Sequence, residues 1–218
     1  MIHLALVDDH TVTRKGIRSI IELHTGIKVI LEASNGKELL EKLATGKQPD
    51  VIILDINMPQ MNGYQAIEEL HSKYPNIKVI AFSFIDEEDA VMNMIYAGAC
   101  GYISKNADPS TLADAVITAH KKGFYLSELV KKEYFRKYTN DKKRPGFHGK
   151  EYLPPKELQF LKLAATNLNY KEIAAIMEVS PKTVENYRDN LFMKLDIKNR
   201  AALTLYGLKN GLIDIFDI

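Results

Sequence analysis

His3-Leu4-Ala5-Leu6-Val7 is an apolar run that ends in Asp8-Asp9, and Val51-Ile52-Ile53-Leu54 is a second one that ends in Asp55. Both are short and rich in aliphatic residues, as strands covered on both faces must be. Lys28–Ala33, Lys78–Phe82 and Gly101–Ile103 have the same character. Between and after these runs lie the amphipathic segments Val12–Leu23, Gly36–Thr45, Gly63–Tyr74, Asp86–Ala97 and Asp108–Lys122. Strand and helix alternate five times, which predicts an α/β unit with a five-stranded, doubly wound parallel sheet. Asp108-Pro109 reads as a cap followed by a first-turn proline, and Gly123 as a helix stop. Ligands in such sheets bind at the carboxyl ends of the strands. The strand-end carboxylates Asp8, Asp9 and Asp55 are therefore the first residues to question.

Composition narrows the classes. The chain has 218 residues, 46% hydrophobic and 26% charged, which suits two compact domains and excludes disorder over most of the length. Cys100 is the only cysteine, so an intramolecular disulfide is impossible and a structural zinc site is disfavoured. The first apolar run is too short for a signal peptide, and no stretch reaches the roughly 20 apolar residues of a membrane span. The expectation is a cytoplasmic protein with no membrane partner.

The net charge of +1 hides an uneven distribution. Residues 1–125 carry 12 lysines and arginines against 16 carboxylates. Residues 126–150 carry 8 against 3, and residues 151–218 carry 9 against 9. The acidic front half is compatible with a cation site, and the basic middle with a solvated linker. Ser127–Tyr138 has a partly apolar helical pattern, and the stretch after it is polar and broken by Pro145 and Gly146. The expected boundaries are 1–123, a linker with a helix over 124–150, and 151–218.

Three carboxylates at neighbouring strand ends repel unless a cation intervenes. A hard ion such as Mg²⁺ suits oxygen ligands. A carboxylate beside it can accept a phosphoryl group, whose charged oxygens need further donors. Ser83, after the fourth strand, offers a hydroxyl, and Lys105, after the fifth, a cation. Taken singly, each has an ordinary structural explanation; their order at successive strand ends is what carries information.

With these residues in place, the front half resembles the receiver domain of bacterial response regulators, over about residues 1–123. The matching pieces are Leu6-Val7-Asp8-Asp9-His10, Leu54-Asp55-Ile56-Asn57-Met58-Pro59, Ala81-Phe82-Ser83 and Gly101-Tyr102-Ile103-Ser104-Lys105. The resemblance implies a flavodoxin-like sheet with Asp55 as phosphoacceptor. It implies Mg²⁺ held by Asp8, Asp9, Asp55 and the backbone carbonyl of Asn57, with Lys105 on the phosphoryl group and Ser83 and Tyr102 as a switch pair. Asn106 stands where the family often has proline.

The last third reads as four helices: Pro155–Thr166, Lys171–Met177, a third begun by Ser180-Pro181, and Asn199–Lys209. Asn167, between the first two, is expected to be left-handed. A short helix, a turn and a capped longer helix form a helix-turn-helix. Leu153–Ile213 resembles the LuxR-type DNA-binding domain through Lys171-Glu172-Ile173-Ala174, Ser180-Pro181-Lys182-Thr183-Val184 and Lys194-Leu195-Asp196-Ile197-Lys198-Asn199-Arg200. The whole chain resembles the NarL/FixJ class of two-component response regulators.

Periodicity places Val184, Tyr187, Leu191 and Leu195 of the third helix toward the core. Lys182, Glu185, Asn186 and Asp189 are left for base edges. Lys171, Thr183, Arg188, Lys194, Lys198 and Arg200 are candidate phosphate contacts. Arg200 has an alternative, an internal tie to Glu157 or Glu172.

The expected function is transcription regulation without enzymatic turnover. A sensor histidine kinase phosphorylates Asp55, homodimers form, and they bind double-stranded DNA. A phosphatase using Asp55 as nucleophile is an alternative, although Asn57 stands where a second acid is needed. A receiver signalling through protein partners, or a phosphorylation-independent regulator, are the others.

Overall fold

The computed structural model describes residues 1–84, 88–127 and 153–213, apart from the side chains of 88–90. Five strands, β1 (Ile2–Val7), β2 (Ile27–Ala33), β3 (Val51–Asp55), β4 (Lys78–Ser83) and β5 (Gly101–Ser104), form one parallel sheet in the order β2-β1-β3-β4-β5. β3 is central and buried at every residue, which is why its sequence is a continuous aliphatic run.

Alternate residues of the strands feed two cores. Leu4, Leu6 and Ile53 pack with Ile17 and Ile21 of α1 (Thr11–Ile21) and with Leu112 and Val116 of α5 (Thr111–Lys122). Ala5, Val7, Ile52 and Leu54 pack on the other face against Leu39, Ile67 and Met94. Those three come from α2 (Gly36–Thr45), α3 (Gly63–Lys73) and α4 (Glu88–Ala97). Buried Cys100 has its thiol pushed up to about 12 by desolvation, so it is packing rather than a nucleophile.

The start of α3 lies hard against the end of β3. Gly63 donates its N–H to the Ile56 carbonyl at 2.8 Å. A Cβ there would sit 2.6 Å from the Asp55 carbonyl oxygen and 2.8 Å from Ile56 Cα, so only glycine fits. Asn62 and Gln65 close a capping box on the same turn. Gly63→Ala is expected to cost about 1–3 kcal/mol, read as a lower thermal midpoint of the α/β unit.

Two expected boundaries move. α5 begins at Thr111, not at Asp108, because Asp108 Oδ1 accepts from Ser110 N at 2.8 Å and holds a turn ahead of the helix. The other end is as read: Gly123 has φ +85° and caps α5. Beyond it Phe124 is buried and Tyr125 N donates to the Cys100 carbonyl, so residues expected to start the linker pack on β5. Except for Ser127, the expected helix over Ser127–Tyr138 lies outside the described residues, as does the polar stretch that follows it.

The second unit contains α6 (Pro155–Ala165), α7 (Tyr170–Ile176), α8 (Pro181–Leu195) and α9 (Arg200–Lys209). Phe160, Leu161, Ile173, Val184, Leu191 and Leu205 fill its core. Asn167 is not left-handed; Glu178 (φ 54°), in the turn between α7 and α8, and Asp196 (φ 51°), capping the end of α8, are. Asn169 instead supplies the turn chemistry, accepting from Lys171 N and Glu172 N as the cap of α7. No helix among the described residues is long and apolar enough to cross a membrane.

Candidate functional site

β1 and β3 are neighbours, with Val7 beside Leu54, so Asp8 and Asp55 emerge side by side where the strand order reverses. Both are buried, at 2% and 3% exposure, while Asp9 is half-buried. One ligand atom from each of Asp8, Asp9, His10 and Asp55 can be chosen so that all lie within 4.8 Å of one another. Lys105 Nζ enters from the end of β5 and lies 2.7 Å from Oδ2 of Asp8 and 2.7 Å from Oδ2 of Asp55. Its backbone N–H donates to the Ser83 carbonyl at 2.8 Å, tying the ends of β4 and β5 together. Asn57 N donates to Asp55 Oδ1 at 3.3 Å.

The pocket has three carboxylates against one ammonium. Burial raises the Asp55 carboxyl above its ordinary range, against the opposing pull of Lys105, and the Asp8 charge adds to the rise. Oδ2 of Asp8 and Oδ1 of Asp9 are buried and accept no hydrogen bond, although Lys105 and His10 lie in ion-pair range of them. Three carboxylates around one ammonium leave an excess of negatively charged oxygens that fits a hard divalent cation. Raising Mg²⁺ to about 100 times its dissociation constant should stabilise the chain by about 2.7 kcal/mol, seen as a higher melting temperature. Asp8→Ala should remove most of that increment.

Ser83 is 1% exposed and Tyr102 wholly buried. Tyr102 therefore occupies the interior rather than standing half-exposed on the edge strand. His10 escaped the sequence reading: its N–H donates to Asp8 Oδ1 at 2.8 Å and its Nδ1 lies 2.8 Å from Asp9 Oδ1. Arg14 also escaped it; its guanidinium donates to the Asp8 carbonyl. Its position one turn into the helix after Asp8 was the available signal.

In the helical unit, Ser180 Oγ accepts from Thr183 N at 3.1 Å and Pro181 opens α8. Val184 and Leu191 are buried, and Tyr187 and Leu195 pack against the core at its edge. Lys182, Asn186 and Asp189 are exposed, and Glu185 partly so. Lys182 pairs with Glu185 at 3.0 Å and Arg188 with Asp189 at 2.8 Å. Lys171 is exposed on α7, Thr183 Oγ1 shares a hydrogen bond with Ser180, and Lys194 lies 3.4 Å from Glu157.

Arg200 is the clear departure. It is 3% exposed and tied internally, but to backbone carbonyls; it is hydrogen-bonded to neither Glu157 nor Glu172, of which only Glu172 acts on its charge. Its guanidinium donates to the carbonyls of Ala164, Thr166 and Leu168 within the bundle and to that of Lys122 at the end of α5. The Phe124 and Tyr170 rings lie 4.9 and 5.2 Å away. Asn199 makes a second bridge, donating to the Ile95 carbonyl of α4 at 2.8 Å while capping α9.

Residues 4–117 match the family model of the response regulator receiver domain, and residues 151–206 that of the bacterial regulatory proteins of the luxR family. The chain belongs to the luxR-type response regulators. This response regulator is 30% identical to the transcriptional regulatory protein DegU of Brevibacillus brevis, over 98% of this chain and 96% of that one. It is 32% identical to the response regulator UvrY of Escherichia coli K12, over 97% and 96%. In fold it is similar to RcsB of Salmonella typhimurium, with TM-score 0.58 and 24% identity over 94% and 97% of the two chains. An RcsB–DNA complex gives the same TM-score. The chain is thus a DNA-binding, luxR-family response regulator of the two-component type, an architecture of transcription regulators rather than of enzymes.

Proposed function

We propose that a sensor histidine kinase phosphorylates this regulator on Asp55, and that the acyl phosphate controls homodimerisation and binding to double-stranded DNA in the cytoplasm. The observation that carries the reading is Lys105 Nζ, buried and 2.7 Å from the carboxylates of both Asp55 and Asp8. Asp55 Oδ attacks phosphorus, the P–N bond of the kinase phosphohistidine (P–O in acetyl phosphate) breaks, and the imidazole leaves with the electron pair and takes up a proton. Lys105 then exchanges a carboxylate for a phosphoryl oxygen. Asp8, Asp9, Asp55 and the Asn57 carbonyl would hold Mg²⁺, which when bound neutralises charge on the transferring group. Asn57, in place of a second acid, leaves no carboxyl there to drive turnover, so no phosphatase cycle is expected.

The added phosphoryl group carries close to two negative charges. In this reading the Ser83 hydroxyl donates to it, and Tyr102, already inside, is held there. The receiver unit runs from residue 1 through Tyr125, which packs on β5, the connecting segment follows to residue 150, and the DNA-binding unit is residues 151–218. Lys182, Glu185, Asn186 and Asp189 read base edges, while Lys171, Thr183, Arg188 and Lys194 meet phosphates. RcsB, of similar fold, has been solved with DNA, which supports the second half of the proposal. In the described arrangement Arg188 and Asp189 line a cleft facing the receiver, so DNA binding requires the two units to separate.

The test is selection from a random DNA library with the acetyl-phosphate-treated chain. An enriched, twofold-symmetric sequence is expected, with altered preference in Glu185→Ala. No enrichment would favour a receiver that works through protein partners, and equal enrichment by Asp55→Asn a phosphorylation-independent regulator.

A further inference from the structure

A cleft of about 510 Å³ separates the receiver from the helical bundle at the end remote from Asp55. That is the size range of small-molecule sites. The receiver contributes Lys78 from the start of β4 and Lys121 and Lys122 from the end of α5, and the bundle contributes Lys198 just before α9. Among the described residues none of these four ammonium groups has a carboxylate within ion-pair distance. One carboxylate, Asp189, lines the cleft, and Arg188 already occupies it at 2.8 Å.

Arg200 forms part of the wall, and its guanidinium is spent on four carbonyl oxygens, which satisfy its donors but do not neutralise it. His71 also lines the cleft; burial, and then Lys198, hold its ring below the usual range. Positive charge therefore predominates in the cleft and is drawn from both units. Clefts of this kind focus potential and favour anions. A chain of phosphoryl groups offers such a lining more negative charge than orthophosphate does, spread over a greater length.

We propose that this cleft binds a small polyanion of the polyphosphate or polyphosphorylated-metabolite class, bridging Lys121 and Lys122 of the receiver to Lys198 of the bundle. Bound there, it holds the two units together and opposes DNA, because Arg188 of α8 stands at the same cleft. This regulation is separate from Asp55 chemistry and does not depend on it.

The test is calorimetric titration of the full chain with tripolyphosphate, at fixed ionic strength and without divalent cations. Orthophosphate and a nucleoside triphosphate serve as further arms, the latter distinguishing a phosphorylated metabolite from free polyphosphate. Saturable one-site binding is expected, at least about tenfold tighter for tripolyphosphate than for orthophosphate. Lys121→Glu and Lys198→Glu should each weaken it by about tenfold or more, and Lys15→Glu, on the exposed face of α1, should not. Phosphorylation of Asp55 in each variant checks that the receiver is folded, and Lys121→Gln provides a milder change at the same place. Absence of saturable binding would overturn the proposal. So would equal weakening by Lys15→Glu, which means diffuse attraction. Loss in Lys198→Glu alone would overturn it too, since the bundle would then hold the anion without the receiver.

Discussion

Incubated with acetyl phosphate and Mg²⁺, the wild-type chain should gain the mass of one phosphoryl group, and Asp55→Asn should gain less than about 1% of that adduct. The size of the effect follows from the chemistry of the side chain. A carboxylate oxygen is a nucleophile that forms an acyl phosphate; a carboxamide of the same shape is not. Asp8 is equally buried, touches the same Lys105 ammonium and likewise accepts a backbone N–H, so Asp8→Asn is the comparison that separates the two: it should keep the acceptor while Asp55→Asn removes it. Asp55 is set by Asn57 and Gly63 at the end of the central strand. The adduct should be cleaved by hydroxylamine, as acyl phosphates are. A hydroxylamine-resistant adduct would place the phosphoryl group on a hydroxyl such as Ser83 instead.

The second large effect concerns Arg200. Arg200→Ala should remove donors from four carbonyls, at roughly 1–3 kcal/mol for each one left buried and unpaired. A helical unit of this size has a stability of only about 5 kcal/mol, so the bundle should be unfolded at room temperature. Two-dimensional amide spectra should then lose the dispersed signals of residues 153–213 and keep those of the sheet. Arg200→Lys should rescue little, because a single ammonium cannot reach carbonyls that a planar fork spans. Desolvation lowers the guanidinium only to about 10, so it stays charged at neutral pH. An Arg200→Ala bundle of wild-type stability would refute this account of the buried cation.

These two residues show what the sequence made legible and what it did not. Asp55 could be found because a parallel sheet delivers successive strand ends to one edge, and a strand that is aliphatic until its final carboxylate marks that edge. Lys105 and Ser83 were legible by the same rule. Arg200 was not, since an arginine among Lys194, Lys198 and Asn199 looks like a surface cation. Its burial depends on carbonyls at the ends of α5 and α6 and in the loop before α7, brought together only by tertiary packing. Asn167 misled for a related reason: turn propensity marks where the chain bends, but whether a residue becomes left-handed depends on the cap beside it, here Asn169. Asp108 likewise was read as a cap when its carboxylate closes the preceding turn. The cleft between the units lies beyond any single-sequence reading, because its cations come from three separated segments.

The central claim is that an acyl phosphate on Asp55 changes how the chain engages DNA. The most direct measurement is the affinity of the full chain for its selected DNA site, by fluorescence anisotropy at fixed salt, with and without acetyl phosphate, for wild type and Asp55→Asn. The account predicts binding at least about tenfold tighter on phosphorylation of the wild type. It predicts no change in the variant. Equal affinities for the treated and untreated wild type, with the adduct verified by intact mass, would contradict it.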